Sequence, residues 1–235
     1  MKKNVLKPLL LFLAFCFFIS PGLTSAQSSS HYVSGKTPFG FEPEINAFLR
    51  EDSASFPPAG AYLFTGSSTI RKWVNLSNDF KGTRVINRGF GGSNIKALNY
   101  YIKDIVLPYK PRTIIVYEGD NDLIIGIAPA EFISQCDTFI QKVHAALPKT
   151  MIYFMSVKPS FARKQFIAVQ EETNSQLKKL TQQRRLTGYI DVTHLMYTKE
   201  GKLRRDFFES DSLHVNKECY KVWADYMKEK IGIPK

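Results

Sequence analysis

Four short blocks of this 235-residue chain carry side chains and backbone able to do chemistry. The first is Gly66-Ser67-Ser68-Thr69. A serine at a helix start often only caps it, accepting a backbone N–H, and Ser67 or Ser68 alone fits that role. The second is Arg88-Gly89-Phe90-Gly91-Gly92-Ser93-Asn94. Its glycines free the backbone to approach a ligand with N–H groups exposed, although a tight turn explains them equally well. It lacks a Gly-Lys-Ser/Thr ending and the wide glycine spacing of a dinucleotide loop, so a nucleotide site has little support. The third, Gly119-Asp120-Asn121-Asp122, reads either as an Asx-rich turn or as a place where the Asn121 amide donates toward a developing oxyanion. The fourth is Asp211-Ser212-Leu213-His214, placed at the start of a helix. There a carboxylate can hold one imidazole nitrogen and leave the other free as a base; a helix cap beside a surface histidine is the alternative.

These blocks need a frame that brings them together. Segments 61–65, 84–87, 113–118, 151–157 and 189–192 are short, apolar and rich in β-branched or aromatic residues. Bounded runs of that kind read as buried parallel strands. Between them lie longer amphipathic stretches at 129–147, 166–185 and 215–231, with a shorter helix at 43–50. The first long stretch opens on Pro129, a residue favoured at a helix start. Alternating strand and helix predicts an α/β sandwich around a mostly parallel sheet. Ligands of such sheets bind beyond the carboxyl ends of the strands, the edge on which all four blocks fall.

Taken together and in this order, Gly-x-Ser, the glycine-rich turn, Gly-x-Asn-Asp and Asp-x-x-His resemble the signature of the SGNH (GDSL-like) serine hydrolases. The likeness runs from Tyr62 to Trp223 and includes Phe64-Thr65-Gly66-Ser67-Ser68 with Trp73, Asn87-Arg88-Gly89-Phe90-Gly91-Gly92, and Leu213-His214-Val215-Asn216 followed by Tyr220 and Trp223. It is similar to the branch of platelet-activating-factor acetylhydrolase-like esterases. The resemblance implies a flavodoxin-like, three-layer α/β/α sandwich with a five-stranded parallel sheet. It implies that Ser68 is the nucleophile and that His214 is the base, oriented by Asp211. The N–H groups of Ser68 and Gly92, with the Asn121 amide, would form the oxyanion hole. Neither metal nor cofactor is called for. A histidine base must be neutral to accept a proton, so activity should fall in acid. One position departs from the family: Ser67 stands where an aspartate is usual, which puts the local support of the nucleophile loop in question. Ser67, Asp122 and Lys158 are further candidates for substrate contact.

Composition sets the remaining bounds. Lys2, Lys3 and Lys7 precede an apolar run, then Pro21-Gly22 and Thr24-Ser25-Ala26, so residues 1–26 read as a secretory signal peptide. Residues 27–40 read as a flexible segment and 41–235 as one hydrolase domain. Removal of the three lysines lowers the formal charge from +11 to +8. The remaining basic residues are scattered, as on solvated faces, and export makes nucleic acid an unsuitable partner. No later segment reads as a membrane span. Cys136 and Cys219 fall on apolar helix faces and are expected as buried free thiols rather than a disulfide, with no zinc spacing. His194 could line the cleft, while Trp73 is expected in the core. The expected function is an exported, periplasmic or secreted esterase acting on small-molecule or glycan esters, preferably acetyl esters of carbohydrate. The alternatives are a lipid acylhydrolase, a glycan acyltransferase using the same site, and a non-catalytic glycan-binding protein.

Overall fold

Each of the five apolar segments contributes a strand to one parallel sheet in the computed structural model, which describes residues 38–233. The strands are β1 (Tyr62–Gly66), β2 (Val85–Gly89), β3 (Thr113–Tyr117), β4 (Met151–Met155) and β5 (Thr187–Ile190). Their order is β2-β1-β3-β4-β5. The helices are α1 (Glu42–Ala54), α2 (Ser68–Arg71), α3 (Leu76–Asp79), α4 (Ile95–Tyr100), α5 (Ile102–Ile105), α6 (Asp120–Ile124), α7 (Pro129–Ala146), α8 (Ile167–Gln183) and α9 (Lys217–Ile231). The expected signal peptide and most of the expected flexible segment lie outside the described residues. Among those residues no helix is long and apolar enough to cross a membrane.

Side chains alternate across the sheet, so each strand feeds two cores. Leu63, Ile114, Val116, Ile152 and Phe154 pack with α1, α4, α5, α7 and α8 on one face. Phe64, Ile115, Tyr117, Met155 and Ile190 pack with α2, α3 and α9 on the other. This is the expected three-layer sandwich. Cys136 belongs to the first core and Cys219 to the second, so the sheet separates two free, buried thiols.

The chain leaves β1 for β2 on one side, then returns past β1 to β3 on the other. The ends of β1 and β3 therefore flank the switch point, where a crevice opens at the carboxyl edge.

Several element ends differ from those read in the sequence. β5 starts two residues earlier than 189, and it accepts Gly188 in mid-strand because a Cβ there would stand 2.4 Å from the Tyr153 ring. β4 stops at Met155 because the Asn174 side chain of α8 takes both the N–H and the carbonyl of Val157. The last helix begins at Lys217 rather than 215: Val215 pairs with Phe208 in an antiparallel bridge, and the Asn216 side chain caps the helix by accepting from the Cys219 N–H.

Candidate active site

The turn that carries Ser68 is built first from Gly66. Its φ of 125° is open to glycine, and a Cβ there would lie 2.0 Å from the Tyr117 carbonyl oxygen. The turn is then fixed by backbone bonds. Ser67 N–H donates to Tyr117 O (3.0 Å), Phe90 N–H to Gly66 O (2.8 Å), and Ile70 N–H to Ser67 O (2.9 Å). Two side chains hold α2 from outside: Asn87 Nδ2 donates to Ile70 O at 2.7 Å and Tyr220 Oη to Thr69 O at 2.7 Å. These contacts answer the question raised by Ser67, since the turn is tied without an acidic side chain at that position.

Ser68, at the start of α2, meets His214 across 146 residues of sequence. Its Oγ lies 2.9 Å from His214 Nε2, and His214 Nδ1 lies 2.5 Å from Asp211 Oδ2. A carboxylate can only accept, so the Nδ1 proton faces Asp211 and Nε2 is left to accept from the serine. The Asp211–His214 block is not a helix start. It forms a turn with Ser212 at φ 60°, in which Asp211 Oδ1 also accepts from the N–H groups of Leu213 and His214, each at 2.9 Å. Partial burial pushes the Asp211 carboxyl up, but the His214 ring, these two N–H groups and the charge of His214 outweigh it. They hold the carboxyl well below the ordinary range. Asp211 therefore stays ionised across the working range.

The Ser68 and Gly92 N–H groups donate to no other described residue, so both remain available to a ligand. Asn121 sits in the first turn of α6, where Gly119 at φ 110° turns the chain and a Cβ would press to 2.6 Å from Val157. Its Nδ2 donates to Ser93 O at 2.8 Å, and its Oδ1 accepts from Arg163 Nη2 at 3.2 Å. One amide N–H is left over. A hydroxyl with its base, a carboxylate behind the base and three spare N–H donors are the parts required for acyl transfer through a tetrahedral intermediate.

The model of the GDSL-like lipase/acylhydrolase family matches residues 59–222, a span that contains all four blocks. The chain belongs to that family. By that membership it is a carboxylic ester hydrolase. No curated protein matches the acylhydrolase in sequence. Solved structures do resemble it in fold. A Streptococcus pneumonia protein described as a platelet activating factor superposes with a TM-score of 0.71 at 18% identity, covering 82% of this chain and 94% of its own. A GDSL-like lipase from Bacteroides thetaiotaomicron gives 0.66 at 16% identity, covering 80% and 97%. An acetyl-xylooligosaccharide esterase from Geobacillus Stearmophilus gives 0.60 at 15% identity, covering 75% and 96%.

Three further candidates of the acylhydrolase do not reach the cleft as substrate contacts. Lys158 is 1% exposed, and its Nζ donates to Leu213 O at 2.8 Å while lying 3.4 Å from Asp120. It props the histidine turn from below. Asp122 is fully buried and clamps two loops, accepting from Ile95 N–H at 3.0 Å and Gly119 N–H at 2.9 Å. Ser67 is also buried and acts through its backbone. His194 packs its ring on Tyr226 at 5.0 Å, and Trp73 is a core residue stacked on Tyr220.

Supporting groups of the acylhydrolase that the sequence reading missed include Asn87, Ser93, Glu118 and Arg163. Ser93 Oγ donates to Glu118 Oε1 at 2.6 Å beneath the Asn121 amide. Burial pushes the Glu118 carboxyl well up, Asp122 adds to the rise, and the Ser93 bond only partly offsets it. The one signal in the sequence was position: each lies within a strand or in the loop that follows its carboxyl end.

Proposed function

We propose that the protein is an exported esterase that removes short acyl groups, acetyl above all, from carbohydrate through an acyl-enzyme on Ser68. The observation that carries the mechanism is the continuous line from Ser68 Oγ through the His214 ring to Asp211, at 2.9 and 2.5 Å. Neutral His214 takes the Ser68 proton as Oγ attacks the ester carbonyl. The tetrahedral oxyanion accepts from the N–H groups of Ser68 and Gly92 and from the Asn121 amide. His214 then protonates the leaving alcohol. Water repeats the attack on the acyl-serine and restores the free enzyme. A short acyl group is favoured because, among the described residues, no long apolar insertion stands over the site as a lid or tunnel. Among fold neighbours, the acetyl-xylooligosaccharide esterase supports a sugar-borne acetyl ester.

One observation favours a second reading. Ile124 and Ile125 are 38% and 63% exposed and stand about one helical turn beyond Asn121, which would suit a longer acyl chain. Hydrolysis of p-nitrophenyl esters from acetate to octanoate, beside acetylated xylo-oligosaccharide, separates the two. The expected profile falls steeply beyond acetate and includes acetate release from the sugar; a rise toward octanoate transfers the assignment to lipid esters. Ser68→Ala should lower kcat by about a thousandfold or more, and a variant that matches wild type ends the serine mechanism. Export rests on residues 1–26 of the sequence. A mature secreted protein that begins at Gln27 agrees with it, and retention of Met1 in the cell refutes it.

A further inference from the structure

We infer that Arg163 is a positioning residue that fixes which end of the Asn121 carboxamide faces the cleft and ties that amide to the turn bearing His214. The inference rests on Asn121 being an oxyanion donor, as proposed above. The two ends of a carboxamide have nearly the same shape, so packing alone does not choose between them. Their hydrogen-bonding chemistry does. The guanidinium of Arg163 can only donate, and the Ser93 carbonyl can only accept. Arg163 Nη2 to Asn121 Oδ1 is 3.2 Å, and Asn121 Nδ2 to Ser93 O is 2.8 Å. Turning the amide over would set N–H against guanidinium and oxygen against carbonyl, losing both bonds. It would also present an oxygen lone pair to a developing negative charge. Held between a pure donor and a pure acceptor, Asn121 keeps its spare N–H for the substrate.

Arg163 is itself held. Its Nη1 stands 2.6 Å from Asp120 Oδ1, an ion pair that lies out of line for a hydrogen bond, and its side chain is 16% exposed. The other oxygen of Asp120 faces Lys158 Nζ, which donates to Leu213 O. Beside Arg163 in the 3-10 turn Phe161–Phe166, the Ala162 N–H donates to Ser212 O at 3.1 Å. One short segment after β4 therefore touches the donor side and the base side at once. It can set their separation as well as the amide orientation.

The test is a double-mutant cycle on p-nitrophenyl acetate, an uncharged ester. Arg163→Met and Arg163→Lys are made in wild type and in Asn121→Ala, with kcat, KM and the melting temperature measured for each. Arg163→Met is expected to lower kcat about tenfold or more with KM within about twofold, and Arg163→Lys to recover part of the loss. In the Asn121→Ala background the same change should cost less than about twofold, because its target is gone. The inference fails if the two losses multiply in full, or if Arg163→Met raises KM with kcat intact, which would make Arg163 a substrate contact. Should Arg163→Met melt early, the folded Arg163→Lys carries the cycle: its smaller loss in kcat must vanish in the Asn121→Ala background, and a loss that persists there in full overturns the inference. The outcomes also separate this inference from its premise. Full kcat in Asn121→Ala removes the donor role itself, whereas a slow Asn121→Ala beside a fast Arg163→Met removes only the role of Arg163.

Discussion

The two sides of the proposed active site, the donor side and the base side, are built in opposite ways. The donor side is sunk into the fold: Ser93, Glu118, Asp120 and Asp122 are all buried, and their bonds run between α4, α6 and the end of β3. The base side is a surface turn. The side chain of Asp211 is 42% exposed, and the hydrogen bonds that shape the turn come largely from Leu213 and His214 themselves. The difference follows from what each side does. An oxyanion hole works because its dipoles are already aimed and need not reorganise during the reaction. Burial in a hydrogen-bonded floor gives that rigidity. A base has to accept a proton, deliver it to a departing alcohol and then accept one from water, and a solvent-facing turn leaves room for those exchanges.

This contrast predicts that damage on the two sides will show up differently. The largest effect is expected from His214→Ala. It should cost about a thousandfold or more in kcat, while the melting temperature falls less than for a change in the buried donor floor, because the backbone N–H groups of Leu213 and His214 still hold Asp211 in the turn. A kcat within about tenfold of wild type would show that another group serves as base. Ser93→Ala should behave the other way. It strips the buried Glu118 carboxyl of the hydroxyl that donates to its Oε1, and Glu118 Oε2 has no hydrogen-bond partner among the described residues. Leaving a buried polar group unsatisfied costs about 1–3 kcal/mol, and for a domain of this size each kcal/mol lowers Tm by about 2–4 °C. Activity should fall less than for His214→Ala, because the Ser93 carbonyl that holds Asn121 is backbone. A stable Ser93→Ala protein would mean that the floor is not tightly coupled.

The same contrast explains what the sequence disclosed. Ser68, Asp211 and His214 were legible because their chemistry restricts the residue type, and their blocks recur in a known order. Glu118, Ser93 and Arg163 were not, because their roles come from contacts made across 25 residues of chain for Ser93 to Glu118 and 42 for Arg163 to Asn121. Lys158 and Asp122 looked like cleft residues for the same reason: type and loop position were visible, burial was not. The strands were legible as bounded apolar runs and the three longest helices from their amphipathic period. Helices α2 to α6 span only four to six residues each, too few to display a helical period.

The last effect is one of pH and bears on the donor side alone. Burial pushes the Asp122 carboxyl up to about 6 against the opposing bonds from Ile95 and Gly119 N–H. The folded protein thus binds this proton more tightly than the unfolded chain, where an aspartate titrates near ~3.9. Between those two values the folded state holds more protons, so stability falls as pH rises. The contribution is complete below about pH 4 and is lost by about pH 6, amounting to roughly 3 kcal/mol at 1.36 kcal/mol per unit. Asp122→Asn cannot titrate there. Its carbonyl can accept from one of the two backbone N–H groups, but its NH2 meets the other donor head-on, so it should be less stable than wild type in acid. That deficit should shrink, and can reverse, between about pH 4 and 6, then stay level until other groups titrate. Urea unfolding of both proteins at half-unit steps of pH measures the difference directly. A gap that widens with pH instead would mean that the two backbone N–H groups outweigh burial and keep Asp122 ionised, making the donor floor a charged clamp rather than a nearly neutral one.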